Sequence, residues 1–153
     1  MLVMVFAPMG FAGSKPNSKI SLSFHMETDQ NEDPKMVFSQ NDNGKIRYFR
    51  RMPEITTNDV VSFSPFPADG PEGYGMVFKL KENAAHRFAA VTNMNQGRWL
   101  LAQIDGRMVD GVIIDKTVND GLVVIWNGIT LNDVRLFDAA MPRIGREGQK
   151  KKK

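Results

Sequence analysis

The sequence predicts an α+β domain in which an antiparallel or mixed sheet carries two helices packed on one face. Three observations lead there. Apolar residues recur at every second position in several short runs, the signature of strands with one buried face. Twice, after Lys81 and after Thr130, the spacing lengthens to that of an amphipathic helix. Finally, Asp105-Gly106 divides the apolar-rich stretch Gly97–Ile114, and an Asp-Gly pair supplies both positive-φ positions of a tight type I′ hairpin turn.

The 153 residues, 42% hydrophobic and 24% charged, give room for one domain with a sizeable core, assigned to residues 13–142. Cysteine is absent, which excludes disulfides, zinc-thiolate sites and a cysteine nucleophile. The net charge of +3 is a property of the C-terminus: Arg143, Arg146 and Lys150 to Lys153 face only Glu147, so the chain before them is net acidic. Residues 143–153 therefore read as a basic, disordered tail. At the other end, residues 1–12 (MLVMVFAPMGFA) are almost wholly apolar, yet shorter than the roughly 20 residues that span a bilayer. They fit the apolar part of a secretory signal with Gly10 and Ala12 placed for cleavage near Gly13, so a periplasmic or secreted location is expected.

Taken in order, Ile20, Leu22, Phe24 and Met26 alternate as one face of a first strand, which puts His25 on the opposite, solvated face. A second short strand, Met36 to Ser39, and a third, Lys45 to Arg51, flank the turn sequence Asn41-Asp42-Asn43-Gly44 and should form a hairpin. Thr57-Asn58-Asp59 resembles a helix cap before the apolar edge Val61, Phe63 and Phe66, and a Pro/Gly-rich loop follows. Tyr74 to Lys81 is the next strand, with Met76, Phe78 and Leu80 on one face. A helix from Glu82 to Asn95 follows it, burying Ala84, Phe88, Val91 and Met94 and leaving His86 outside. Gly97 stops that helix. After the Asp105-Gly106 hairpin, Gly121 to Trp126 is apolar on both faces and reads as a central strand. Thr130 and Asp133 form a capping box for a second helix that buries Leu131, Val134, Phe137 and Met141 before Pro142 ends it.

From Tyr74 to Ala140 the residues resemble the periplasmic P1 head subdomain of the SecD/SecDF protein-export family, and the similarity extends toward Arg50. The positions that carry it are Phe88, Ala89 and Thr92 on the helix, Gly97 and Arg98 opening the hairpin, Asp105 and Gly106 at its tip, and Thr130 with Leu131 at the second helix. Asp110-Gly111-Val112 departs from the family's small-residue and proline step. The resemblance implies a stand-alone head-like domain, without the membrane helices that hold proton-coupling groups, whose transferable property is contact with polypeptide.

Three functions compete on these residues. The favoured one is an exported, non-enzymatic domain that binds a polypeptide or protein partner through an open sheet edge or apolar groove. Gly97, Asp105 and Gly106 are assigned to the hairpin's structure, and Arg98, Trp99 and Arg107 are the candidate contact residues. A small hydrolase is the alternative, but Asp105, Asp110 and Asp115 are scattered acids without a visible partner, so no catalytic residue, cofactor or metal ligand is assigned. Nucleic-acid binding through the lysine tail and Arg47, Arg50 and Arg51 is the least favoured, given the acidic body.

Overall fold

A computed structural model describes residues 20–69 and 73–148; the signal-like segment at residues 1–12 and the lysines at 150–153 lie outside them. Strands β1 (Leu22–Thr28), β2 (Val37–Asp42), β3 (Lys45–Arg50), β4 (Ile55–Thr56), β5 (Val60–Pro67) and β6 (Tyr74–Leu80) precede helix α1 (Glu82–Met94). Strands β7 (Trp99–Ile104), β8 (Arg107–Ile113) and β9 (Leu122–Ile129) and helix α2 (Leu131–Ala140) complete the chain. Pairing between these strands is antiparallel, in two sheets. One runs β2-β3-β1-β7-β8, with β4 also pairing β1, and the other runs β9-β6-β5. The α+β class and the two helices are as expected; the strands divide between two sheets because β5, β6 and β9 pair only among themselves.

The sheets and helices share one core. Phe24 of β1 meets Phe78 of β6 edge-on at 6.3 Å, Phe78 meets Phe137 of α2 at 5.3 Å, and Phe137 meets Phe63 of β5 at 5.6 Å. These four rings are fully buried. Burying each contributes roughly 2–3 kcal/mol of transfer free energy, so this aromatic relay is a principal tie between the layers.

The central hairpin forms as its sequence dictates: Asp105 and Gly106 both have positive φ, 52° and 80°. The sequence pattern predicts that Trp99, Leu101, Ile104, Val112 and Ile114 face the core; Ile104 and Ile114 are buried there and Val112 packs against them, but Trp99 and Leu101 are not in that core. Leu100, Ala102 and Ile104 enter the core, whereas Leu101 is buried on the far side and Trp99 is half-buried there. Sequence alternation does not identify the core face when both faces are apolar, and here the β2–β3 hairpin covers the second one. The same cover corrects the reading of His25. It is buried, with the Phe38 ring edge-on at 5.3 Å. Its Nδ1 lies 2.8 Å from the Arg50 carbonyl oxygen, an acceptor only, so Nδ1 carries the proton and Nε2 accepts from the Ser23 hydroxyl at 2.9 Å.

Four further placements differ from the sequence reading. Strand β9 is an edge, not a centre, and β6 is the middle strand of its sheet. On α1 the third buried position is Thr92, and Met94 is 80% exposed. The Thr92 hydroxyl donates to the Phe88 carbonyl at 2.9 Å, which satisfies a polar group in the core. On α2 the Leu131 side chain is half exposed, while Val134, Phe137 and Met141 are buried as expected. Residues 143–148, assigned to the tail, are held in place: Ile144 N–H donates to Phe63 O, Arg143 pairs with Asp138 at 2.8 Å, and Glu147 accepts from the Ser62 hydroxyl at 2.8 Å. That segment covers the free side of β5, which is where Pro65 and Pro67 are tolerable.

Candidate functional site

Strand β8 is an edge of one sheet and β9 an edge of the other, and they run antiparallel beside one another without a hydrogen-bond ladder. At one end the backbones touch: a Cβ built on Gly128 would lie 2.5 Å from the Val109 carbonyl oxygen. Val109 is the extra residue of a β-bulge, since Ala102 opposes Asp110 while the next residue, Gln103, opposes Met108. One step on, the Asp110 carboxylate fits between the strands, accepting from Gly111 N–H at 3.0 Å and from Trp126 N–H at 3.0 Å. Beyond it residues of both strands line a cavity of about 310 Å³. Phe88, Thr92, Leu100 and Val123 are among the residues lining this cavity, together with the half-buried Val112 and Leu122. Trp126 and Ile113, 59% and 51% exposed, stand at the same cavity.

The walls of this wedge carry main-chain groups that turn into it. Ile114 directs its N–H to Arg98 O and its C=O to Gly97 N–H, toward β7, so the alternation of an antiparallel strand turns those of Ile113 and Gly111 outward. On β9, Gly121 O accepts from Leu80 N–H, which faces Leu122 and Val124 outward in the same way. Leu122 N–H is taken by the Asp120 carboxylate at 3.0 Å. The loop from Asp115 to Asp120 closes the wide end and is pinned to α1, where Thr92 Oγ1 accepts from Val118 N–H at 2.9 Å and Thr117 donates to Asn93 at 2.8 Å.

The residues proposed from sequence are not at this wedge. Arg98 reaches the Glu27 carbonyl at 3.3 Å and the Asp29 carboxylate at 3.4 Å, tying the start of β7 to the end of β1. Trp99 lies under the Arg47 guanidinium at 4.8 Å, and Arg47 bridges Glu27 and Asp42, both at 3.1 Å. These hydrogen bonds, Asp42's first, raise the Arg47 pKa and keep it charged. Trp99, Arg47 and Asp110 border a second cavity of about 270 Å³ on the opposite face of the sheet. Arg107 pairs at 2.6 Å with Asp133, which is buried and also accepts from Thr130 N–H as the expected capping box requires. Gly97 has φ 90° and ends the α1 turn.

The three scattered acids stay apart. Asp105 accepts from Ser21 N–H at 2.8 Å, Asp110 spans the strand edges, and Asp115 is exposed at the cavity. Among the described residues no group of three or more His, Asp or Glu is placed to hold a metal ion. The sequence reading missed Ile113, Val124 and Trp126 as a site; for Val124 and Trp126 the signal was the run GLVVIW, apolar on both faces, of which Val123 and Ile125 enter the core while the Trp126 ring stands edge-on to Phe66 at 5.9 Å.

What these elements define is a small α+β domain: two antiparallel sheets, two helices and an open seam between the sheet edges. Among solved structures it is similar to SecDF, described as a membrane component that enhances protein export, with a TM-score of 0.56 and 17% identity over 79% of this chain and 61% of that one. It is likewise similar to SecDF in a super-membrane-facing form, with a TM-score of 0.51 and 18% identity over 72% of this chain and 17% of that one. The chain thus spans a part of each SecDF chain, and what is shared is the fold, in agreement with the resemblance read from the sequence. No protein-family model matches the chain, and no curated protein sequence does. Among the described residues no helix is long and apolar enough to cross a membrane.

Proposed function

We propose that this domain binds an extended segment of polypeptide, without catalysis, in the wedge between β8 and β9, and that it does so on the exported side of a membrane. One observation carries the reading: two strand edges with outward main-chain groups converge over an apolar floor. Main-chain donors and acceptors in a row are satisfied best by another extended backbone, and the adjoining apolar side chains favour apolar residues at alternate positions of that segment. The likeness to SecDF, a protein-export component, supports the choice of polypeptide as ligand and of export as the setting. The cavity, about 310 Å³, is small, so affinity in the micromolar range is expected, as for small, shallow contacts.

The test is a titration of the full chain with short apolar peptides of high strand propensity, followed by backbone amide shifts. Residues 111–113 and 122–126 should move, and Trp126 fluorescence should change with saturation. Shifts confined to the Trp99–Arg47 face, or no shift at millimolar peptide, would overturn the proposal.

A further inference from the structure

The wedge is closed at its narrow end by the Asp110 carboxylate and, one residue further, by contact between the Val109 and Gly128 backbones, and this decides what can enter. Asp110 uses Oδ1 on Gly111 N–H and Oδ2 on Trp126 N–H, so one carboxylate occupies an outward donor from each of the two strand edges. A charged acceptor holds such donors more firmly than a neutral one. Neighbouring strands in a sheet lie about 4.8 Å apart, so a segment seated between β8 and β9 needs about twice that gap. The carboxylate bridges the edges at hydrogen-bond distance, and one residue further the Val109 and Gly128 backbones are in contact. A segment lying among Ile113, Leu122 and Val124 therefore meets Asp110 as a stop.

We infer that Asp110 is the specificity-determining clasp of the wedge: it limits the paired length of the bound segment to about three residues and must release Gly111 and Trp126 before a longer segment can pair. This rests on the polypeptide-binding reading above. Because β8 and β9 are antiparallel to each other, the segment pairs parallel with one and antiparallel with the other. Its end abutting the carboxylate is favoured by a main-chain N–H or a basic side chain and disfavoured by an acidic one. The selected ligand is thus a short apolar stretch with a neutral or basic flank, in keeping with Asp110, Asp115 and Asp120 around the wedge against the single cation Lys116.

The experiment compares the full-length chain with Asp110→Ala and Asp110→Asn variants, using extended apolar peptides of three, five and seven residues. In the original chain affinity should level off after three residues. In Asp110→Ala it should continue to rise, reaching roughly tenfold tighter binding of the seven-residue peptide, because two donors become available to it. Amide exchange at Gly111 and Trp126 should accelerate about tenfold in the free variant. Asp110→Asn, whose single carbonyl oxygen holds fewer donors, should lie between and provides the reading if Asp110→Ala does not fold. Faster exchange with unchanged or weaker binding at every length would make Asp110 a purely structural tie and overturn the inference, leaving polypeptide binding intact. If no peptide binds any of the chains, polypeptide binding itself fails. Self-association of the free variant without peptide affinity would assign the wedge to a second copy and overturn both.

Discussion

Gly128 offers the sharpest test that β8 and β9 lie together as described. Its φ is 96°, and a Cβ there would lie 2.5 Å from Val109 O and 2.9 Å from Val109 Cγ1. Gly44 has nearly the same φ, 92°, with nothing within 4 Å of the corresponding Cβ. Both alanine variants incur the left-handed backbone cost of about 1–2 kcal/mol. Only Gly128→Ala adds a backbone clash that must push the strands apart, worth about 1–3 kcal/mol by analogy with overpacked sites. Subtracting the Gly44→Ala loss from the Gly128→Ala loss therefore isolates the β8–β9 contact. Urea unfolding followed through the two tryptophans reads it: at a slope of about 2 kcal/mol per molar, Gly128→Ala should unfold at a midpoint about 0.5–1.5 M below Gly44→Ala. Equal midpoints would mean that the narrow end of the wedge is not closed by backbone contact, and the length limit assigned to Asp110 would lose its geometric basis.

The remaining predictions concern the frame around the wedge. Gly106→Val forces a β-branched residue to φ 80° at the hairpin tip and should cost about 2 kcal/mol in urea unfolding. It should leave peptide affinity unchanged, since that turn lies beyond the narrow end; lost affinity at retained stability would contradict the structural role of the hairpin. Asp133→Ala removes the cap on Thr130 and the partner of Arg107, with an expected loss of about 2–4 kcal/mol by the same assay; a loss under 1 kcal/mol would show that the buried pair contributes little. His25 gives a pH signature. Burial lowers its pKa below the ordinary 6.5, against the opposing pull of the Arg50 carbonyl. The unfolded chain therefore takes up the proton first: the stability is fully present above pH 6.5 and is lost as pH falls through the depressed folded value. Thermal midpoints from pH 8 to pH 5 should decline in the original chain and flatten in His25→Leu; identical slopes would remove His25 as the cause.

Local chemistry made much of the fold legible. The turns at Asn43-Gly44 and Asp105-Gly106 announce themselves because positive φ is steeply costly for other residues, and all four have it. The Thr130–Asp133 capping box is likewise written in four consecutive residues and forms both of its hydrogen bonds. Faces were less legible than elements. Leu100 and Leu101 differ by nothing in chemistry, and which one enters the core depends on the covering β2–β3 hairpin, more than fifty residues upstream. His25 was misplaced for the same reason: alternation specifies two sides of a strand but not what lies over each.

The wedge was hidden in a different way. Asp110 is visible in the sequence only as an acid without a partner, because its partners are main-chain N–H groups, and one of them, Trp126, is 16 residues away. Yet the arrangement has a physical logic once assembled. Two antiparallel strands joined by a short loop would ordinarily pair and bury each other's edges. Here the Val109 bulge breaks the register at one end, and Asp110 takes the first outward donors. Asp120 takes Leu122 N–H, and Thr92 draws the connecting loop onto α1 through Val118. Each contact uses up a group that strand pairing would have used, or holds the strands where pairing cannot start. Together they keep apart two edges that could have closed, and the groups left unspent at Ile113 and Val124 face an apolar floor. This open seam, maintained at a cost in main-chain pairing, is the feature on which the proposed binding function rests.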